Sequence, residues 1–110
     1  MGKRFLKIAD RDDLDTLLDD SKLRPVVVFK HSNACPISAA AYREMEKFEG
    51  DVSLVVVQTA RDVSRELASI TGIRHESPQV LVLRDGKAVW NASHFQIKAG
   101  AVAQAIESAI

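Results

Sequence analysis

The hydrophobic positions fall into runs that alternate between two periods. Leu14, Leu17 and Leu18 recur at three-and-four spacing, which predicts a helix capped by Asp10 or Asp12 and stopped by Arg24-Pro25. Val26 to Phe29 is a continuous β-branched and aromatic run, the pattern of a strand buried on both faces. Ile37, Ala41, Met45 and Phe48 return to the helical period, with Gly50 as the stop. Leu54 to Val57 reads as a second buried strand. Asp62 then caps a helix bearing Val63, Leu67 and Ile70, which Gly72 ends. Val80 to Leu83 is a third buried strand, Asp85-Gly86 a two-residue hairpin turn, and Lys87 to Asn91 its antiparallel partner. A last helix from about Lys98 turns Val102, Ala105, Ile106 and Ala109 inward. Residues 3–8 suit a short edge strand.

The predicted order is β-α-β-α-β-α-β-β-α. Strands separated by helices pair in parallel through right-handed crossovers, and the closing hairpin adds antiparallel pairs. The expectation is an α/β fold, a mixed sheet of about five strands flanked by four helices, in one domain spanning residues 1–110. There is no internal repeat, low-complexity segment or dividing linker.

Composition narrows the functional classes. Fifteen basic and fifteen acidic residues balance in 110 positions. That gives no support for binding nucleic acid or an anionic membrane through net charge. No apolar run approaches the roughly 20 residues of a membrane span. The basic start Met1-Gly2-Lys3-Arg4 has no apolar region of a secretory signal behind it, and position 6 is not the Ser or Thr of a myristoylation site. Asn91-Ala92-Ser93 is read as a chance sequon. One cysteine cannot make an internal disulfide framework. The expected compartment is the reducing cytoplasm.

That cysteine carries the candidate chemistry. Cys35 follows a strand and a short polar loop, and Pro36 is of the type that opens helices. A thiol at a helix N-terminus meets unpaired N–H groups and the positive end of the helix dipole, which favour the thiolate. Buried, inert cysteines are also common, so position rather than residue type makes the case. Ser38, one turn on, either donates a hydrogen bond to the thiolate or faces solvent. His31, expected in the loop, lowers the thiol pKa if it is cationic and near. Lys30, Arg61 and Arg74 are candidates to attract an anionic thiol. His94 is read as structural.

Three separated motifs extend this reading: His31-Ser32-x-x-Cys35-Pro36-Ile37-Ser38, His75-Glu76-Ser77-Pro78-Gln79, and Trp90-x-Ala92-Ser93-His94. In this order and spacing the chain resembles the YtxJ family of bacillithiol-system redox proteins, the monothiol bacilliredoxins, over nearly its whole length. The resemblance implies a thioredoxin-like fold with Pro78 in the cis form opposite Cys35. It implies substrate positioning by Pro36, His75, Ser77 and Pro78, with Ser77 acting through its main chain as the residue before a cis-proline. It further implies bacillithiol as co-substrate, S-bacillithiolated proteins as partners, and no tightly bound cofactor. Ser38 replaces the second cysteine of a dithiol redoxin, and Val28-Phe29-Lys30 lacks the buried acid of thioredoxin. Monothiol exchange is therefore expected rather than dithiol reduction. Two alternatives stay open: an iron–sulfur carrier like the Cys-x-x-Ser glutaredoxins, and a thioredoxin-fold binding module without turnover.

Overall fold

The computed structural model describes residues 5–110. Its elements are β1 (Phe5–Lys7), α1 (Arg11–Asp20), β2 (Val26–His31), α2 (Pro36–Lys47), β3 (Val52–Val56), α3 (Arg61–Thr71), β4 (Gln79–Arg84), β5 (Lys87–Ser93) and α4 (Ala99–Ser108), with one 3₁₀ turn at His94–Gln96. The five strands form one sheet in the order β1-β3-β2-β4-β5. β1 and β2 run parallel to β3, whereas β4 runs antiparallel to both β2 and β5. The mixed sheet and the element order agree with the hydrophobic pattern. Residues 3 and 4 of the expected first strand lie outside the described residues.

Period-two alternation in β2 and β4 feeds two cores. Val28, Leu81 and Leu83 point to one face, where Leu14 and Leu17 of α1 and Val63 and Leu67 of α3 cover them. Val27, Phe29 and Val80 point to the other, under Ala41 and Met45 of α2 and Val102 of α4. β2 sits between two strands and two helical layers, which explains its unbroken apolar run.

Local signals set most boundaries. The Asp10 side chain accepts the Asp13 N–H at 3.0 Å, and Asp13 reaches back to the Ala9 N–H at 2.9 Å. Gly72 ends α3 in the left-handed region (φ +69°). Asp85 and Gly86 have φ of +56° and +74°, as a tight turn with both central residues left-handed requires.

Several expectations need correction. The N-cap of α3 is Ala60, with Asp62 inside the first turn, where its charge still suits the dipole. Ile70 is exposed, and Ser64 takes the buried place on that helix. α2 stops at Lys47 with an extended Phe48, two residues before Gly50. On α2, Ile37 is only partly covered, whereas Ser38 is fully buried. β2 runs on to His31 and β5 to Ser93, because both keep pairing with β4 or β3 beyond the apolar run.

α2 carries the cysteine, and its depth depends on one side chain. Met45 is completely buried between α2 and the sheet. Met45→Ala is expected to lower unfolding free energy by about 2–5 kcal/mol in urea titration, the usual range for emptying such a site.

Candidate active site

Strand direction brings the three motifs to one end of the sheet. β2, β3 and β5 finish there and β4 begins there. Lys30 pairs with Gln79, so the Ser32–Cys35 loop leaves β2 beside Ser77-Pro78. The Ser77–Pro78 bond is cis, as the resemblance implied. His94, with φ +54°, closes β5 at the same end, and its N–H donates to the Pro78 carbonyl at 3.1 Å. Its Nε2 lies 3.7 Å from a Glu76 carboxylate oxygen.

The loop is held by side chains rather than by a ladder. The Ser32 N–H donates to Ser38 Oγ at 3.2 Å. The Asn33 N–H donates to Gln58 Oε1 at 3.2 Å, and Gln58 Nε2 donates to Ser32 Oγ at 2.7 Å. The Ala34 N–H donates to the same Ser32 oxygen at 3.3 Å. With these donors engaged, the free N–H groups near the thiol are those of the helix.

Cys35 is the N-cap of α2, in extended geometry, with Pro36 at the first helical position. Its side chain is partly exposed and unbridged. The thiol pKa is lowered, chiefly by the Ser38 backbone N–H, then by the Ile37 N–H and the Ser38 hydroxyl, against an opposing desolvation. These are the orphan donors of a helix start. Ser38 is not the solvent-facing serine that its position on a helix allowed. It is buried, accepts from Ser32, and keeps its own proton to donate.

His31 differs from its expected role. It is the last residue of β2, not a loop residue, and its ring packs tilted against Phe29 and Tyr42, with centroids 5.5 and 5.1 Å away. Burial pushes its pKa down. The ring is therefore neutral at neutral pH, and thiolate stabilisation falls to the helix donors rather than to an imidazolium. His31 Nδ1, Ser77 Oγ and Gln79 Oε1 are buried without hydrogen-bond partners. All three belong to positions at this end of the sheet.

The other face holds a polar group that the sequence pattern did not foresee. Lys30 is fully buried. Its Nζ lies 3.4 Å from the Ser64 carbonyl oxygen and 3.4 Å from His75 Nδ1, which is also 3.0 Å from Ser64 Oγ. Burial lowers the Lys30 pKa to about 8. The same burial, and then the Lys30 charge, lowers that of His75. His75 is thus anchored toward α3. Arg74 contributes its carbonyl, which accepts from Gln79 Nε2 at 3.0 Å. Of the three basic residues considered for an anionic thiol, only Arg61 lines a cavity here, together with Gln58, Arg65 and His75. Gln58 and Arg65 were missed because neither belongs to a motif.

Among the described residues no group of three or more His, Cys, Asp or Glu is placed to hold a metal ion. No helix among them is long and apolar enough to cross a membrane.

The comparisons with known proteins agree with this geometry. The family model described as monothiol bacilliredoxin BrxC matches residues 6–102. A solved structure described as an oxidoreductase with a thioredoxin fold is 37% identical, with a TM-score of 0.84 over 92% of this chain and 92% of that one. Fasciola hepatica thioredoxin superposes with a TM-score of 0.73 at 18% identity, covering 96% of this chain and 99% of that one. Schistosoma mansoni thioredoxin reaches 0.71 at 19% identity, over 97% and 99%. The two thioredoxins bear on the fold alone.

Two outcomes follow from the electrostatics. Ser38→Ala removes a hydroxyl donor but leaves the larger backbone contribution. The Cys35 pKa should rise while staying below that of an unperturbed thiol, as read by ultraviolet thiolate absorbance against pH with Cys35→Ser as blank. Lys30 gives a pH-dependent stability. Below about 8 it is charged both folded and unfolded, so the burial cost is present in full. Between about 8 and its ordinary 10.5 the unfolded chain binds more protons, so stability rises with pH. Lys30→Met should be more stable than the parent at pH 7, and the gap should shrink through that window in parallel urea titrations. A constant gap would mean that Lys30 is not desolvated.

Proposed function

The chain belongs to the monothiol bacilliredoxin family, and we propose that its Cys35 thiolate removes bacillithiol from protein mixed disulfides. The single observation behind this reading is the placement of the sole thiol at the N-cap of α2, with the Ser38 and Ile37 N–H groups favouring its anion. The family and the thioredoxin-fold relative make the protein a monothiol redox protein. The choice of small thiol and the direction of exchange are our reading.

The steps balance with one cysteine. The Cys35 thiolate attacks the bacillithiol sulfur of a protein–S–S–bacillithiol bond. A new Cys35–S–S–bacillithiol bond forms, and the substrate cysteine leaves as thiolate. Cys35 is then part of a disulfide, and the substrate is reduced. A second bacillithiol thiolate attacks the bacillithiol sulfur of that bond, releases Cys35 as thiolate and leaves as bacillithiol disulfide. No step needs a second cysteine in this chain or a bound cofactor.

Within this reading Cys35 is the nucleophile and Ser38 its thiolate donor. Pro36 opens the helix that supplies the remaining N–H groups. Ser77 offers its main chain at the entrance to β4, where the cis bond to Pro78 turns it toward the thiol loop, and the approaching substrate pairs with it. His75 borders the small-thiol side, and His31 walls the loop from the β2 end. The readily lost anion of a low-pKa leaving thiol speeds each exchange, and the lowered pKa of Cys35 serves the second step in that way.

The test is intact mass spectrometry of the reduced protein mixed with bacillithiol disulfide or glutathione disulfide. One bacillithiol should add to the parent and none to Cys35→Ser. Addition should be reversed by excess bacillithiol and slower with glutathione disulfide. Absence of an adduct at neutral pH would overturn the reading in favour of a binding module, whose partner would be retained by Cys35→Ala.

A further inference from the structure

Beside the thiol loop lies a cavity of about 340 Å³, lined by Val57, Gln58, Arg61, Ser64, Arg65 and His75. Two guanidinium groups and an imidazole line it, and no carboxylate does. Beneath it, the buried Lys30 ammonium contacts two of the lining residues, Ser64 and His75. Arg61 has no ion-pair partner among the described residues, and Arg65 meets only the exposed Asp62 at 3.7 Å. A larger cavity of about 480 Å³ shares Arg61 and Arg65, but Asp10, Asp62 and Glu66 line it as well and offset their charge. Of these two, the smaller is left with a net positive lining; it differs from the basic cavity of about 260 Å³ between α2 and Lys98 in having no carboxylate, since Glu44 lines that one.

Its position ties it to the cysteine. Gln58 forms part of its wall and also holds Ser32 and Asn33 of the loop that leads to Cys35. We propose that this cavity is a subsite for the carboxylates of an anionic small thiol carried on Cys35, with Arg61 and Arg65 as its direct partners. Guanidinium groups suit this task because they meet a carboxylate through two parallel hydrogen bonds. Gln58 is the positioning residue, since it lines the cavity and holds the loop that leads to Cys35. Lys30 adds positive potential from behind rather than contact, and the neutral His75 imidazole completes the wall. The proposal rests on the reading of Cys35 as the exchanging thiol. It goes further in naming the feature by which the small thiol is chosen, a negative charge set back from the sulfur.

The test separates this preference from reactivity itself. Exchange rates of Cys35 are measured with neutral hydroxyethyl disulfide and with dianionic dithiodipropionate, each divided by the rate of free mercaptoethanol. The parent should favour the dianion by about 3- to 10-fold on this normalised scale, as expected for two partly exposed ion pairs, and salt should erode the preference. Arg61→Gln with Arg65→Gln should abolish it and leave the neutral disulfide unaffected. Lys22→Gln with Lys87→Gln, which removes the same charge near the far hairpin, should retain it. Equal loss in both double variants would reduce the effect to net charge and overturn the subsite. An acidic stretch of the protein substrate is the other source of carboxylates; a preference seen only with such a peptide disulfide would overturn the small-thiol assignment. Binding is read independently of exchange in Cys35→Ser. Titration with succinate should shift the side-chain amide-type NMR signals of Arg61 and Arg65 in a saturable way. Scattered or non-saturating shifts would sink the proposal even if Cys35 exchanges well; saturable shifts without exchange would leave a carboxylate site but overturn its assignment to a thiol carried on Cys35.

Discussion

The enclosure of β2 is the constraint from which the site follows. It is hydrogen-bonded to β3 on one edge and β4 on the other, and helices cover both of its faces. A strand held on four sides ends at a fixed place. The loop after it must therefore emerge between the end of β3 and the start of β4. Val57 donates its N–H to the His31 carbonyl, which extends the parallel pairing to the loop itself. Ser32 to Ala34 then need only a few side-chain hydrogen bonds to bring Cys35 to the start of α2. The thiol's environment is thus a consequence of packing far from it, as the burial of Met45 beneath α2 illustrates.

The electrostatics divide between the two sides of the same strand. On the α2 side the charge to be stabilised is an anion, and neutral donors do it: two backbone N–H groups and one hydroxyl. The nearby His31 is kept neutral by its packing, so the thiolate gains no partner with which it would form a tight, unreactive pair. On the α3 side the chain buries a cation with only a carbonyl and an imidazole as company. Burial of an ammonium group is unfavourable, and a hydrophobic residue of similar volume would ordinarily be preferred. Lys30 ends the stretch Val28-Phe29-Lys30, which lacks the buried acid of thioredoxin. A monothiol protein has no second cysteine to deprotonate within the fold, so a buried base near the thiol has no task there.

Much of this was legible in the sequence, for identifiable reasons. The three buried strands follow from continuous apolar runs and the four helices from a period of 3.6, and Gly72, Asp85 and Gly86 mark ends that depend on local backbone geometry alone. Cys35-Pro36 announced its helix start in the same way. What escaped depends on partners distant in the chain. Ser38 and Ser64 look like surface helix residues until the sheet covers them. Lys30 at the end of an apolar run reads as a strand boundary, whereas pairing with both neighbours carries β2 one residue past it. His31 was assigned to a loop for the same reason, and its charge state could not be read without the rings of Phe29 and Tyr42. Ile70 keeps the helical period yet is exposed, because that period marks a face of the helix and not how far along it the covering layer reaches. Gln58 belongs to no motif; its two bonds cross about 26 residues of sequence, a separation that no local pattern encodes.

A single reactive cysteine also shifts where specificity must reside. In a dithiol protein the second cysteine ends each encounter by displacing the substrate, so the chain itself determines release. In the exchange proposed for this chain, the small molecule left on Cys35 is recognised twice, once as the group taken and once as the attacking thiol that removes its twin. Exchange at sulfur is nearly isoenergetic among aliphatic thiols, and the chemistry of the bond offers little discrimination. Recognition therefore has to act on what lies beyond the sulfur. The wall formed by Gln58 meets this need, because one side chain both holds the loop of the reacting cysteine and faces Arg61, Arg65 and His75. On that proposal the distance between the reacting sulfur and the recognised group is set by the fold and not by a flexible arm, so that an open, partly exposed thiol is selective.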